Sequence, residues 1–137
     1  MRFATIRRQG VLTGARLDDD RLVLLDAADP VDAFLRRDTA REIGELPAHG
    51  AHYAQVSPRP GHILCLGLNY RSHIREPGRP TPQYPALFAK YASTLTGPLD
   101  DIVLPAVSDH VDGEVELAVV VGRTVRRGDM MASATRS

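Results

Sequence analysis

The chain has 137 residues, enough for one domain or for one small domain and part of another. Lysine plus arginine balance aspartate plus glutamate at 17 each, so no global field draws in nucleic acid, an anionic membrane or an acidic partner. Aromatics are 5% of residues with no Trp, which argues against a base-stacking platform, and 43% hydrophobic content excludes disorder as the default.

Cys65 is the sole cysteine, so neither an internal disulfide nor a cysteine-based zinc site can form. The start, MRFATIRRQG, has no apolar signal region, and no apolar run approaches membrane-spanning length. A reducing cytoplasm is the simplest address.

Residues Arg2 to Leu25 read as short antiparallel strands. RFATIRR alternates, with Phe3, Thr5 and Arg7 on one face. Gly10 marks one turn, VLTGARL follows, and Asp18-Asp19-Asp20 marks a second turn before RLVLL. A helix is expected at Pro30, with Asp29 as its N-cap and Val31, Phe34 and Leu35 as an apolar stripe. A second helix start is expected at Thr39, where Thr39 and Glu42 match a T-x-x-E capping box. Residues 1–47 thus form a small α/β module without visible chemistry. Residues 48–60 are linker-like, and His49 and His52 within them read as surface histidines.

The texture changes after Pro60. HILCLGL, His62 to Leu68, reads as a buried strand broken at Gly67, with Cys65 packed inside it. Asn69 can cap a short helix that Pro77-Gly78 stops. His73 and Glu76 are three apart and share a face of that helix. Such a pair can hold and deprotonate a water, or be an exposed pair of little consequence. ALFAK, Ala86 to Lys90, reads as a strand. Lys90 can reach a substrate carboxylate or only solvent. Thr96-Gly97-Pro98 is a turn, and Ile102 to Pro105 a further short strand. The apolar run Leu117 to Val121 reads as a strand buried on both faces. On that strand Glu114 and Glu116 would share a face. Two adjacent carboxylates repel, and a hard divalent cation between them relieves the repulsion; a solvated strand end does so too. Arg123, Arg126 and Arg127 form a small basic patch, and Asp129 would cap a last helix.

The order of these signals resembles the fumarylacetoacetate hydrolase family, in its two-domain bacterial form. The matching pieces are ILCLGLNYRSHIRE, YPALFAK, TGPLDDIVLP and DGEVELAVVVGR, from about Pro60 to Asp129. The resemblance implies an α+β chain: a small N-terminal α/β module over 1–47, a linker over 48–60, and the first part of a mixed β-roll catalytic domain over 61–137. It implies Glu114 and Glu116 as ligands of Mg²⁺ or Mn²⁺, with Ca²⁺ a further option. His73 and Glu76 become the water-activating dyad, and Tyr70 and Lys90 substrate-binding residues. Substrates would be small 2-oxo or 1,3-dicarbonyl acids, and the reaction carbon–carbon hydrolysis or a related isomerisation or decarboxylation. A homodimer is expected as the family's common assembly, with no nucleic-acid or membrane partner. Family members also supply an acidic metal ligand after a later helix, and no residue after Asp129 is acidic. The chain is therefore expected to be a member truncated within its catalytic domain, with inactivity or pairing with a complete homologue as the alternative.

Overall fold

The computed structural model describes residues 1–75, 78, 80–122, 124 and 126. They fall into two units, 1–102 and 103–137, each taken by itself.

The first unit opens with three strands, β1 (Arg2–Arg8), β2 (Val11–Asp18) and β3 (Arg21–Leu25), joined antiparallel by two-residue turns. Gln9 and Gly10 both have positive φ, 47° and 80°, the geometry that matches a tight hairpin to the strand twist. Asp19, at φ 52°, serves the second turn, as the acidic triplet suggested. Helix α1 (Pro30–Leu35) begins where expected. The Asp29 carboxylate accepts the amide N–H of Val31 at 2.9 Å and of Asp32 at 3.0 Å.

Two expectations fail at this point. The stripe of Val31, Phe34 and Leu35 does not face the core: Phe34 and Leu35 are exposed, and α1 buries Pro30 and Ala33 instead. Phe34 makes an edge contact with Phe3, their centroids 6.1 Å apart, while Arg37 lies over its ring. No second helix starts at Thr39. The Thr39 hydroxyl donates back to the Arg36 carbonyl, and Glu42–Pro47 is a strand, β4, paired antiparallel with β3. Gly44, at φ 155°, disfavours helix in the middle of that stretch. Cross-strand pairing then decides: Glu42 meets Arg16 at 2.9 Å, Glu45 meets Arg21, and Leu46 lies opposite Leu22.

The sheet order is β1-β2-β3-β4, and both faces are covered. On one face Ile6, Ala15, Leu22 and Leu24 pack with Leu46, Ala48, Ala51 and Tyr53. On the other Val23, Leu25 and Ala27 pack with Ala33 of α1. This is why Thr5 and Ile6, consecutive on β1, are both buried. Residues 52–56 run along the free edge of β1. The Arg7 amide donates to the His52 carbonyl at 2.8 Å, the Ala54 amide to Thr5 at 2.9 Å, and the Thr5 hydroxyl to Val56. The connection beyond β3 is held by Asp26, whose carboxylate takes Arg36 at 3.1 Å and Arg41 at 2.9 Å. The Arg41 side chain and amide, with the Arg36 charge, hold Asp26 below its ordinary pKa.

A second, two-stranded sheet pairs β5 (Ile63–Gly67) antiparallel with β6 (Ala86–Lys90), and α2 (Arg71–Arg75) lies between them in sequence. β5 is not the buried strand its composition suggested: Leu64 is 69% exposed and Leu66 39%. Among the described residues this pair has no further strand beside it, and a two-stranded sheet buries little on its own. The turn at Thr96-Gly97-Pro98 is closed by Asp100, whose carboxylate accepts the Gly97 amide at 2.7 Å.

In the second unit the described residues 103–122 carry no helix or strand, so neither the strand expected at Ile102 to Pro105 nor that at Leu117 to Val121 is formed. A strand is a paired structure, and here no described segment supplies the ladder. Val115 is fully exposed and Leu117 83% exposed. Arg123, Arg127, Asp129 and the expected last helix lie outside the described residues.

Gly14 sets the approach of α1 to the sheet. Its amide donates to the Ala27 carbonyl at 2.7 Å, and a Cβ there would stand 2.7 Å from the Asp29 carbonyl oxygen. Gly14→Ala is expected to lower unfolding free energy by about 1–3 kcal/mol in a urea titration. Gly61→Ala, where nothing lies within 4 Å, should leave it nearly unchanged. Equal effects of the two would contradict this packing.

Candidate functional site

The first cluster of expected site residues hangs on one chain reversal. The β5–β6 ladder ends at the rung Gly67–Ala86. Leu68 then takes φ 53°, the left-handed region. An L-residue with a bulky side chain is disfavoured there by roughly 1–2 kcal/mol. Its neighbours Gly67 and Asn69 would take that conformation more cheaply, yet the reversal falls on the leucine. Tyr70 follows, and its carbonyl accepts the Ile74 amide at 3.1 Å to open α2. Gly78, at φ 67°, donates its amide to the Arg75 carbonyl at 3.0 Å and closes the helix.

This arrangement puts Tyr70 and His73 within one turn of each other, both exposed, with Ile74 turned inward at 8% exposure. Both Tyr70 and His73 have interactions within the chain. Glu76, the expected partner of His73, lies outside the described residues. Lys90 is exposed on β6, opposite Ile63. The α2 end of the ladder is the Gly67 end, so Lys90 sits four residues away along the strand, roughly 13 Å at the usual rise.

Glu114 and Glu116 belong to the second unit, and both are exposed. The alternation that would put them on one face has no strand to act through. Their carboxylates are hard oxygen donors of the kind Mg²⁺ or Mn²⁺ takes. Among the described residues, however, no three His, Cys, Asp or Glu side chains gather into a metal-binding group. The residues thus fit a divalent cation in donor type and not yet in number.

Comparison with known proteins decides the kinship. The family profile described as fumarylacetoacetate (FAA) hydrolase C-terminal matches residues 62–135, more than half of the chain. The chain belongs to the fumarylacetoacetate hydrolase family. It is 38% identical over 111 residues to the mitochondrial oxaloacetate tautomerase FAHD2A of Bos taurus, covering 79% of this chain and 35% of that protein. It is 50% identical over 66 residues to 2,4-didehydro-3-deoxy-L-rhamnonate hydrolase of Sphingomonas sp. strain SKA58, covering 48% of this chain and 23% of that one. A Mycobacterium smegmatis protein solved under the provisional name HpcE superposes with TM-score 0.56 at 26% identity, over 74% of this chain and 40% of its own. The chain therefore spans about a third of the length of the curated relatives it matches. The matched region contains Tyr70, His73, Glu76, Lys90, Glu114 and Glu116. Among the described residues no helix is long and apolar enough to cross a membrane.

Sequence reasoning missed Leu68. No composition signal marks a leucine for left-handed backbone, and the flanking Gly67 and Asn69 draw that assignment to themselves. Leu68→Asn, which tolerates this conformation, should slow hydrogen exchange at the Ile74 amide. Leu68→Val, which tolerates it worst, should speed that exchange roughly tenfold. Identical exchange in both variants would contradict a strained reversal at this position.

Proposed function

We propose that this chain carries the chemistry of an enzyme acting on small 2-oxo or 1,3-dicarbonyl acids, by carbon–carbon hydrolysis or by the related tautomerisation or decarboxylation. What supports the reading is the family match over residues 62–135, with relatives named as an oxaloacetate tautomerase and a sugar-acid hydrolase.

In this reading His73 is the general base. In a tautomerisation its imidazole takes a proton from the carbon beside the carbonyl and returns it at the carbonyl oxygen. In a hydrolysis it takes a proton from water, hydroxide adds to the carbonyl carbon, and the carbon–carbon bond breaks to leave a carboxylic acid and an enolate, which takes the proton back from the imidazolium at carbon. Glu76, three residues on in the sequence, would fix the imidazole's tautomer and stabilise its charged form. Tyr70 donates its phenolic hydrogen to a substrate oxygen. Lys90 pairs with a substrate carboxylate. Glu114 and Glu116 would hold a divalent cation, Mg²⁺ or Mn²⁺. When bound, it would supply a Lewis acid that draws charge toward the substrate oxygens.

A second reading rests on the exposed run from Val115 to Val121, whose apolar side chains stand in solvent. Such an apolar, β-branched stretch has the composition of a pairing strand, which supports assembly with a second copy or a homologous chain.

The test is turnover of oxaloacetate and of an acylpyruvate with Mn²⁺ present. Wild-type chain should accelerate one of them, and His73→Gln should lower kcat by about 10²–10⁴-fold. Turnover that survives His73→Gln undiminished would overturn the assignment of the base.

A further inference from the structure

Strand β4 joins its sheet by a different kind of contact from β1, β2 and β3. Residues 41–45, Arg-Glu-Ile-Gly-Glu, are all exposed, and Ile43, the one large apolar side chain among them, is 56% exposed. The first apolar anchor is Leu46, which packs against the cluster of Ile6, Leu22 and Leu24. The ladder is also interrupted here. Leu24 lies opposite Gly44 and Leu25 opposite Glu42, so Ile43 is the extra residue of a bulge. Charge fastens the segment instead. Arg41 meets the Asp26 carboxylate through its side chain at 2.9 Å and through its amide at 2.8 Å, and the Asp26 amide donates to the Arg41 carbonyl at 2.9 Å. Glu42 meets Arg16 at 2.9 Å, and Glu45 meets Arg21. Arg16 also faces Asp18, and Asp26 also takes Arg36. The hydrogen bonds from Arg41 hold Asp26 below its ordinary pKa, so this carboxylate is charged at neutral pH.

We propose that residues 41–45 form an ionic latch, which opens from the β3 edge as a unit, hinged at Leu46, with a frequency set by ionic strength. Surface ion pairs add little each, and opening this segment uncovers almost no apolar surface. The open form is therefore reached far more often than the unfolded chain. Beyond the hinge the contacts are of another kind: Leu46 stays packed, and the Ala48 amide donates to the Asp20 carbonyl at 2.7 Å. The other margin of the sheet is held by backbone hydrogen bonds between β1 and residues 52–56, which salt does not screen in the same way. Opening bares the β3 edge from Val23 to Leu25, whose backbone donors and acceptors then turn to water. The latch lies in the first sheet and draws nothing from the chemistry proposed for His73.

Native-state hydrogen exchange on the whole chain, read by NMR at constant pH, tests the latch. Raising NaCl from about 10 mM to about 1 M shortens the Debye length from roughly 30 Å to roughly 3 Å. Exchange at the Asp26 and Arg41 amides should then speed about tenfold, because the pairs to Asp26, Glu42 and Glu45 are screened together. The amides of Gly14 and Ala54, bonded to the Ala27 and Thr5 carbonyls, should keep their rates. The double variant Glu42→Gln/Glu45→Gln, changed only at exposed side chains, should exchange faster at Asp26 and Arg41 in low salt and respond less to added salt. Salt-independent exchange at Asp26 and Arg41 in the wild type overturns the latch. So do rates that rise in step with those of Gly14 and Ala54, or a salt response that the double variant leaves unchanged.

Discussion

The pairing of β5 with β6 is the constraint on which the first part of the candidate site depends. Its last rung, Gly67 with Ala86, fixes where the chain leaves the sheet. The left-handed backbone of Leu68 fixes the direction of that exit, and α2 follows within three residues. Tyr70 and His73 are therefore carried by a ladder of backbone hydrogen bonds rather than by a loop. The same ladder puts Lys90 at its other end, so a substrate touching both would have to span the strand pair or meet a lysine side chain reaching back along it.

The N-terminal sheet stabilises the unit without contributing to this chemistry. It is buried on both faces, by α1 on one side and by residues 48–54 on the other. Across its strands Arg16 of β2 lies between Asp18 and Glu42, and both carboxylates help hold that guanidinium in its charged form. The link to the second sheet runs through residues 52–56 along β1 and through Gln55, whose amide donates to the Leu95 carbonyl at 3.4 Å. A rigid platform beside a thinly covered strand pair is a sensible division, since sites that admit substrate come from the less stable parts of a fold.

Local signals with a direct physical mechanism were legible. Gly10 and the aspartate triplet announced turns, Asp29-Pro30 announced the start of α1, and Gly78 the stop of α2, because each acts on the backbone beside it. What failed was whatever needed a distant partner. The T-x-x-E box at Thr39 lost to cross-strand contacts with Arg16, Arg21 and Leu22, which lie far away in sequence. The apolar run from Leu117 to Val121 carries strong strand preference, but preference does not supply a neighbouring strand. The kinship was legible because its motifs are spaced blocks of particular residue types, and the family match recovers them. The conformation of Leu68 was not, since it is a backbone angle that no residue type announces.

The claim on which the functional account rests is that the acidic pair at 114 and 116 takes a divalent cation. Isothermal titration of MnCl₂ into the chain measures it directly. The account predicts saturable heat from wild type that disappears in the Glu114→Gln/Glu116→Gln double variant while β1 to β4 stay folded. Heat that is the same in both proteins, or absent from both, would contradict it.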